Sequence, residues 1–197
     1  MAAQTEICRK ARDETASMLV QTPGEDTNMR FSLVFCMTAA LTLSSSAEAA
    51  IYVKSDAMGA ANGSNWADAY PTLQAALGVG ANQDIWLALG TYTPGPSGGP
   101  RTLSFLLPSG VRLFGGFAGT ESALEQRDPQ VNATILSGDL NRDGDPNTPG
   151  SSVDNAYQVV RAVTLAAPAL LDGVTVRAAR SSSSVGGGAI YVENSDP

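Results

Sequence analysis

Short stretches rich in aliphatic and aromatic residues recur along the chain from residue 51, and most are bounded by Gly, Pro, Asn or Asp. Their β-branched and aromatic content predicts strands. Their spacing is too irregular for a propeller but is consistent with the coils of a parallel solenoid. The predicted strands are 51–55, 84–92, 102–108, 110–117, 133–138, 156–163, 169–178 and 187–194.

One segment has a helical pattern instead. Residues 70–79 place Pro71 in the first turn and offer Thr72 as a cap, and their apolar positions fall on one face. We expect this short helix to cover the open end of the solenoid, because a terminal coil exposes apolar side chains and unpaired backbone groups. The apolar face consists of Leu73, Ala76 and Leu77.

An antiparallel sandwich is the alternative architecture, and turn chemistry argues against it. Asn62-Gly63 and Asp143-Gly144 lie in long polar loops, so neither forms a two-residue hairpin between adjacent strands. Asp172-Gly173 interrupts an apolar run and is expected to form a corner between two faces of one coil. Gly115, Gly116, Gly138 and Gly173 are the predicted corner glycines.

In a parallel coil each strand stacks on the next at about 4.8 Å, so the interior becomes a column of apolar side chains. The predicted fold is therefore an all-β, right-handed parallel β-helix with a short N-terminal capping helix. The candidates for its interior are Ile85, Leu87, Leu89, Leu113, Phe117, Leu136, Val160, Val174 and Val176.

The segment before the first predicted strand has the pattern of an export signal. Met29-Arg30 is basic, residues 31–43 are apolar, and Ala47-Glu48-Ala49 fits a small-x-small cleavage site. We therefore predict a signal peptide over 29–50, rather than a buried core helix. The apolar run is shorter than a typical transmembrane helix, so no transmembrane helix is expected in the mature chain. Residues 1–28 are interpreted as an upstream extension or, alternatively, as an unusually long basic region of the signal.

Composition narrows the chemistry available to residues 51–197, the predicted β-helix domain. The 197-residue chain has no His, which excludes Ser-His-Asp catalysis and His-ligated zinc within it. Its net charge of −7 argues against nucleic acid as a partner. Both cysteines, Cys8 and Cys36, precede the cleavage site. The exported chain would then have no disulfide, and its stability would depend on its core, on repeat stacking or on bound metal.

Several motifs together resemble the N-terminal part of bacterial exported right-handed parallel β-helix proteins of pectin lyase-like fold. Gly187-Gly188-Ala189-Ile190, followed by Tyr191 and Asn194, is similar to the repeat of polymorphic outer-membrane proteins, with Tyr191 where Phe is usual. The resemblance implies display or adhesion at the cell surface, and it implies that the chain is a fragment of a longer protein. The matching segments are 66–77, 84–92, 109–121, 127–128, 134–141, 154–160 and 171–176.

One polar segment has the spacing of a calcium loop. Residues 139–144 follow the order D-x-N-x-D-G, which places oxygen ligands at alternate positions and a glycine at the turn. Gly150 stands where an EF-hand has Glu, so Asp154 or Asn155 would complete the site. The alternative is a solvated polar loop. The predicted structural Ca²⁺ ligands are Asp139, Asn141, Asp143, Asp145 and Asp154.

Two functions are consistent with these observations. The preferred one is an exported cell-surface or extracellular scaffold without catalysis, whose ligand is a carbohydrate or a host-surface molecule. The alternative is a polysaccharide lyase or glycoside hydrolase, which would use Arg142 or a pair of acids. The available acids are Asp128, Asp139, Asp154 and Asp172. Sugar stacking could involve Trp66, Trp86, Tyr92, Tyr157 or Tyr191, whereas packing of Trp86 in the core and of Trp66 against the helix is the simpler interpretation.

Overall fold

The computed structural model describes residues 50–144, 152–181 and 188–193. The predicted extension 1–28 and residues 29–49 of the predicted signal peptide lie outside this part of the chain. One α-helix, α1, spans Leu73–Leu77, and a 3-10 helix spans Leu124–Gln126. The strands are β1 Ile51–Val53, β2 Asp84–Ala88, β3 Gly90–Tyr92, β4 Phe105–Leu106, β5 Arg112–Phe117, β6 Thr134–Ser137, β7 Val160–Val163, β8 Leu170–Asp172, β9 Val174–Arg177 and β10 Ile190–Glu193.

The strands form three sheets, and every pair of neighbouring strands in them is parallel. The sheet orders are β1-β2-β5-β8, β3-β6-β9 and β4-β7-β10. From β2 onward, successive strands enter the three sheets in a fixed rotation, so each strand pairs with the strand three places later. The prediction of an all-β parallel fold is confirmed, and the antiparallel alternative does not describe these sheets.

Each predicted strand segment contains at least one strand, and two segments contain a pair. Segment 84–92 divides into β2 and β3, and segment 169–178 divides into β8 and β9. Gly173 separates β8 from β9 with φ +69°, which is the left-handed conformation expected of a corner glycine. The corner prediction is wrong for Gly115 and Gly116, which lie inside β5. Gly116 has φ +97°, and here the pairing of β5 with β2 shifts register as at a β-bulge.

The helix α1 is shorter than the predicted segment 70–79. Thr72 is the N-cap, with extended φ −131° and ψ 140°, and its Oγ1 accepts from the Ala75 N–H at 3.4 Å. Pro71 therefore precedes the cap instead of occupying the first turn. The predicted apolar face is buried as expected. The helix packs against β1 and β4, each of which is the first strand of its sheet.

The apolar interior is built from register-matched ladders. Ile85, Leu113 and Leu171 are neighbours across one sheet, and Phe105 and Val160 are neighbours across another. Ile190 extends the second ladder but is 48% exposed. The prediction is confirmed for Ile85, Leu87, Leu113, Leu136 and Val160, all fully buried in one cluster. Val174 and Val176 pack against this cluster but are half-buried, because β9 ends its sheet.

Two interior predictions are wrong. Leu89 is 48% exposed, since it lies at the break between β2 and β3 where the in–out alternation restarts. Phe117 is fully buried, but it belongs to a second cluster with Trp86 and Phe114. The bulge in β5 explains why Phe117 lies on the outer face. The extra residue in the strand reverses which side chains point inward and which point outward beyond it.

This second cluster covers the outer face of the β1-β2-β5-β8 sheet. Tyr52, Trp86 and Phe114 are register neighbours, and Trp86 stacks on Phe117 with ring centroids 4.7 Å apart. Trp66 lies edge-on to Tyr52 at 4.7 Å and donates its Nε1–H to the Glu121 carbonyl at 2.8 Å. Trp66 therefore fixes loops to the sheet face and does not seat the helix.

The Glu121 side chain stabilises the turn whose backbone carbonyl accepts the hydrogen bond from Trp66. Its carboxylate accepts the backbone N–H groups of Ala118, Gly119 and Thr120 at 2.6, 2.9 and 2.9 Å. Burial opposes ionisation, but these hydrogen bonds outweigh it and lower the pKa of Glu121 below its ordinary value.

We expect the turn to loosen in acid. Because the folded-state pKa is depressed, the stabilisation exists at neutral pH and is lost as pH falls through the lowered pKa. Tryptophan fluorescence, which reports on Trp66 and on Trp86 of the same cluster, should show this transition in the native chain but not in Glu121→Gln. The neighbouring variant Glu125→Gln should retain it. Identical titrations of the native chain and Glu121→Gln would contradict the assignment.

Candidate metal centre

Three acidic side chains converge where the chain leaves β6 and where it approaches β7. Asp139 follows β6 by one glycine, and Asp154 precedes β7. Together with Asp143 they each offer a carboxylate oxygen, and these oxygens lie within 4.8 Å of one another. The strand ends thus bring together residues that are distant in sequence.

Backbone hydrogen bonds hold two of the carboxylates in place. Asp139 Oδ2 accepts from the Gly144 N–H at 2.9 Å, and Asp154 Oδ2 accepts from the Asn141 N–H at 3.1 Å. The Gly138 carbonyl accepts from the Ala156 N–H at 2.7 Å, and this hydrogen bond joins the segment after β6 to the segment before β7. The carboxylates are therefore positioned by the fold of the loop itself.

The remaining oxygens of these two carboxylates are buried without a hydrogen-bond partner. Within the described residues, five buried side-chain polar atoms lack a partner, and three of them are Oδ1 of Asp139, Asp154 and Asn155. Asp139 is only 8% exposed and Asn155 only 7%. Because buried polar atoms are nearly always satisfied in folded proteins, this concentration of acceptors indicates a site for a positively charged or donating group.

The pKa of the third acid, Asp143, reflects both desolvation and its acidic neighbours. Asp143 is exposed, and its pKa is raised above the ordinary value by desolvation and by the neighbouring charges of Asp154 and Asp139. The cluster therefore resists holding all three negative charges by itself, and a bound cation would relieve that repulsion.

The structure brings together three of the five predicted calcium ligands. Asn141 is engaged elsewhere, since its Oδ1 accepts from Ser97 Oγ at 2.7 Å and from the Gly98 N–H at 2.8 Å. Asp145 and Gly150 lie outside the described residues. The alternating spacing alone could not show that Asn141 turns toward a preceding loop, because that contact joins residues far apart in sequence.

The other acids considered for catalysis have structural partners. Asp128 Oδ1 accepts the N–H of Gln130 at 2.9 Å, which closes a local turn. Asp172 Oδ2 pairs with Arg127 Nη2 at 2.7 Å. Arg142 is exposed and adopts a left-handed backbone with φ 56°.

Two of the five aromatic residues considered for sugar stacking are inaccessible. Trp86 is 8% exposed and Tyr92 is 3% exposed. The Tyr92 hydroxyl donates to the Ala88 carbonyl at 3.0 Å, and burial, helped by the charge of Asp56, raises its pKa. Trp66 is half-buried in the outer aromatic cluster.

Tyr157 and Tyr191 are half-buried, and each lies beneath an arginine. The Arg101 guanidinium is 4.3 Å from the Tyr157 ring centre, and its Nε donates to the Asn155 carbonyl at 2.6 Å. The Arg161 guanidinium is 5.6 Å from the Tyr191 ring centre, and its buried Nε has no hydrogen-bond partner among the described residues. Within the described residues the Arg161 side chain therefore makes no hydrogen bond, in contrast to Arg101.

Tyr191 and Arg161 belong to the outer face of the β4-β7-β10 sheet. Leu106, Arg161 and Tyr191 are register neighbours on the side opposite the buried Phe105 and Val160. Leu106 is 53% exposed and borders a groove of about 520 Å³ between α1 and the segment after β7. We call Leu106, Arg161 and Tyr191 the outer ladder.

Comparisons with protein-family models, with curated proteins and with solved structures find no match for this chain. Among residues 50–144, 152–181 and 188–193, no helix has the length and apolar character needed to cross a membrane. The functional assignment therefore rests on the geometry of the sheets and of their surfaces.

Proposed function

We propose that this chain is part of an exported, right-handed parallel β-helix that acts as a non-catalytic binding scaffold at the cell surface or outside the cell. The observation that carries the proposal is the fixed rotation of successive strands through three parallel sheets around one apolar interior. Such a stack presents flat, regular outer faces on a rigid column, which suits extended ligands.

The right-handed sense of winding follows from a general rule. Connections between parallel strands of one sheet are right-handed in about 98% of cases, because of the twist of the strands. Here β2 reaches β5, and β5 reaches β8, through connections that visit the other two sheets. Applying the rule to each turn gives a right-handed coil.

The outer ladder is the surface best suited to a carbohydrate ligand. The half-buried ring of Tyr191 offers a stacking platform for a sugar ring. The terminal Nη groups of Arg161 can bond a sugar hydroxyl or carboxylate, since its side chain makes no hydrogen bond among the described residues. The adjoining groove beside Leu106 would extend the contact along a polymer. A carboxylated sugar polymer is favoured over a neutral one despite the net charge of −7, because the local contact is with Arg161, and Arg pairs with carboxylates in a bidentate geometry.

We expect the 197-residue chain to bind polygalacturonate oligosaccharides more tightly than neutral xylan oligosaccharides. Tyr191→Ala should weaken binding roughly 5- to 30-fold, the effect of losing about 1–2 kcal/mol of stacking and cation–π interaction. Tyr157→Ala is the matched control, because its partner Arg101 is already bonded to backbone carbonyls. Calorimetric titration with each oligosaccharide would measure these affinities.

Equal weakening by the two tyrosine variants would overturn the assignment of the outer ladder. Cleavage of the polygalacturonate during the titration would favour the competing class, a polysaccharide lyase or hydrolase. Release of unsaturated or reducing ends, followed by absorbance, distinguishes simple binding from cleavage.

A further inference from the structure

We propose that Asp139, Asp143 and Asp154 bind one Ca²⁺ ion that joins the segment leaving β6 to the segment entering β7. The carboxylate oxygens of the three residues lie within 4.8 Å of one another. This proposal does not depend on the carbohydrate ligand, since it concerns a different surface and different residues.

The buried, unpartnered oxygen of Asp139 is the strongest evidence. Asp139 is 8% exposed, its Oδ2 accepts from the Gly144 N–H, and its Oδ1 has no hydrogen-bond partner among the described residues. In Asp154, likewise, Oδ2 accepts from the Asn141 N–H, and the buried Oδ1 has no partner in the described part of the chain. In each carboxylate one oxygen is thus fixed by backbone and the other remains available as a ligand.

The chemistry of the donors selects a hard divalent cation. Carboxylate oxygens without nitrogen or sulfur donors suit Ca²⁺ or Mg²⁺. Ca²⁺ is favoured, because it accepts irregular geometry and six to eight oxygens, whereas Mg²⁺ requires a near-ideal octahedron. The exposure of Asp143 leaves room for water molecules to complete the coordination.

Gly144 lies so close to Asp139 that a side chain at this position would displace the carboxylate. A Cβ at this position would overlap Asp139 Oδ2. The backbone of residue 144 therefore approaches the carboxylate closely, and the N–H···Oδ2 bond of 2.9 Å orients Asp139 before any ion binds. This pre-organisation lowers the cost of assembling the three ligands.

The site is connected to a loop that follows β3. Asp154 accepts from the backbone of Asn141, whose side chain in turn accepts from Ser97 and Gly98. A bound ion would therefore stabilise a chain of contacts that extends from the β6 end to the turn at residues 97–98.

Calorimetric titration of the full chain with CaCl₂ tests the proposal. We expect one site with a dissociation constant of about 0.1–1 mM, the range of extracellular calcium modules, and weaker binding of MgCl₂. Asp143→Asn should weaken Ca²⁺ binding roughly tenfold or more, because a unit charge is removed from the coordination shell. Asp56→Asn, which removes an exposed acid after β1, is the matched control and should bind as the native chain does.

Two further readouts separate an ion site from a stabilised loop. Ca²⁺ at about 100 times its dissociation constant should raise the unfolding midpoint by about 5–10 °C, and Asp154→Asn should reduce this rise. Amide hydrogen exchange should slow on adding Ca²⁺ at Gly98, Asn141 and Gly144. The proposal is overturned if titration shows no saturable binding, or if Asp143→Asn binds Ca²⁺ as tightly as Asp56→Asn does.

Discussion

Phe105→Ala is expected to lower the free energy of unfolding by about 3–5 kcal/mol, the usual cost of removing a fully buried phenylalanine. Phe105 is 0% exposed and pairs with Val160 of β7 in the interior ladder. Phe105 belongs to the main cluster of buried apolar residues, so its truncation leaves a cavity within the core.

The adjacent residue provides the control for this variant. Leu106 occupies the same strand but points to the outer face and is 53% exposed, so Leu106→Ala should cost less than about 1 kcal/mol. Urea unfolding followed by circular dichroism measures both. If Phe105→Ala fails to fold, Phe105→Leu should remain measurable with a smaller loss. Equal losses for Phe105→Ala and Leu106→Ala would contradict the in–out assignment of this sheet.

Gly115→Ala is expected to destabilise the protein by about 3 kcal/mol, because the added methyl group has no space. A Cβ at Gly115 would lie 2.5 Å from the Gly173 carbonyl oxygen and 2.8 Å from both Thr134 Cβ and Val174 Cγ1. The Gly173 carbonyl belongs to the backbone of the corner between β8 and β9, so the clash cannot be relieved by a change of rotamer. The cost arises from the close approach of the bulged part of β5 to that corner.

Two other glycines separate this clash from backbone strain. Gly188 would place a Cβ in open space and has no positive φ, so Gly188→Ala should leave stability unchanged within about 0.5 kcal/mol. Gly98 also has open space but adopts φ +71°, so Gly98→Ala should cost about 1 kcal/mol from the left-handed backbone alone. Thermal unfolding of the three variants would rank them, and a neutral Gly115→Ala would show that β5 can move away from the corner at Gly173.

Local patterns predicted most of the elements. Thr72 and the spacing of Leu73, Ala76 and Leu77 predicted the capped helix, because capping and helical periodicity are properties of neighbouring residues. The apolar segments predicted where strands occur for the same reason. Their ends were less predictable: segment 102–108 contains only the two residues of β4, since pairing with β7 decides which residues form the ladder.

The candidate metal centre was predicted in part. The D-x-N-x-D-G spacing identified Asp139 and Asp143, and the need for a completing oxygen identified Asp154. The spacing placed Asn141 in the same set, but its side chain bonds Ser97 and Gly98 instead. Alternate spacing of oxygen-bearing side chains predicts which residues can converge on one ion. It does not predict which side chain instead accepts a hydrogen bond from another loop.

The sequence by itself determined the strand content, the capped helix and the acidic spacing, because these depend on residues that are close along the chain. Only the tertiary structure decided how the strands divide among three sheets, the aromatic cluster around Trp86 on an outer face, and the unpartnered oxygens of Asp139 and Asp154 among the described residues. Each of these depends on contacts between residues far apart in sequence. Such contacts become fixed only when the stacking of successive strands sets register, face and burial together.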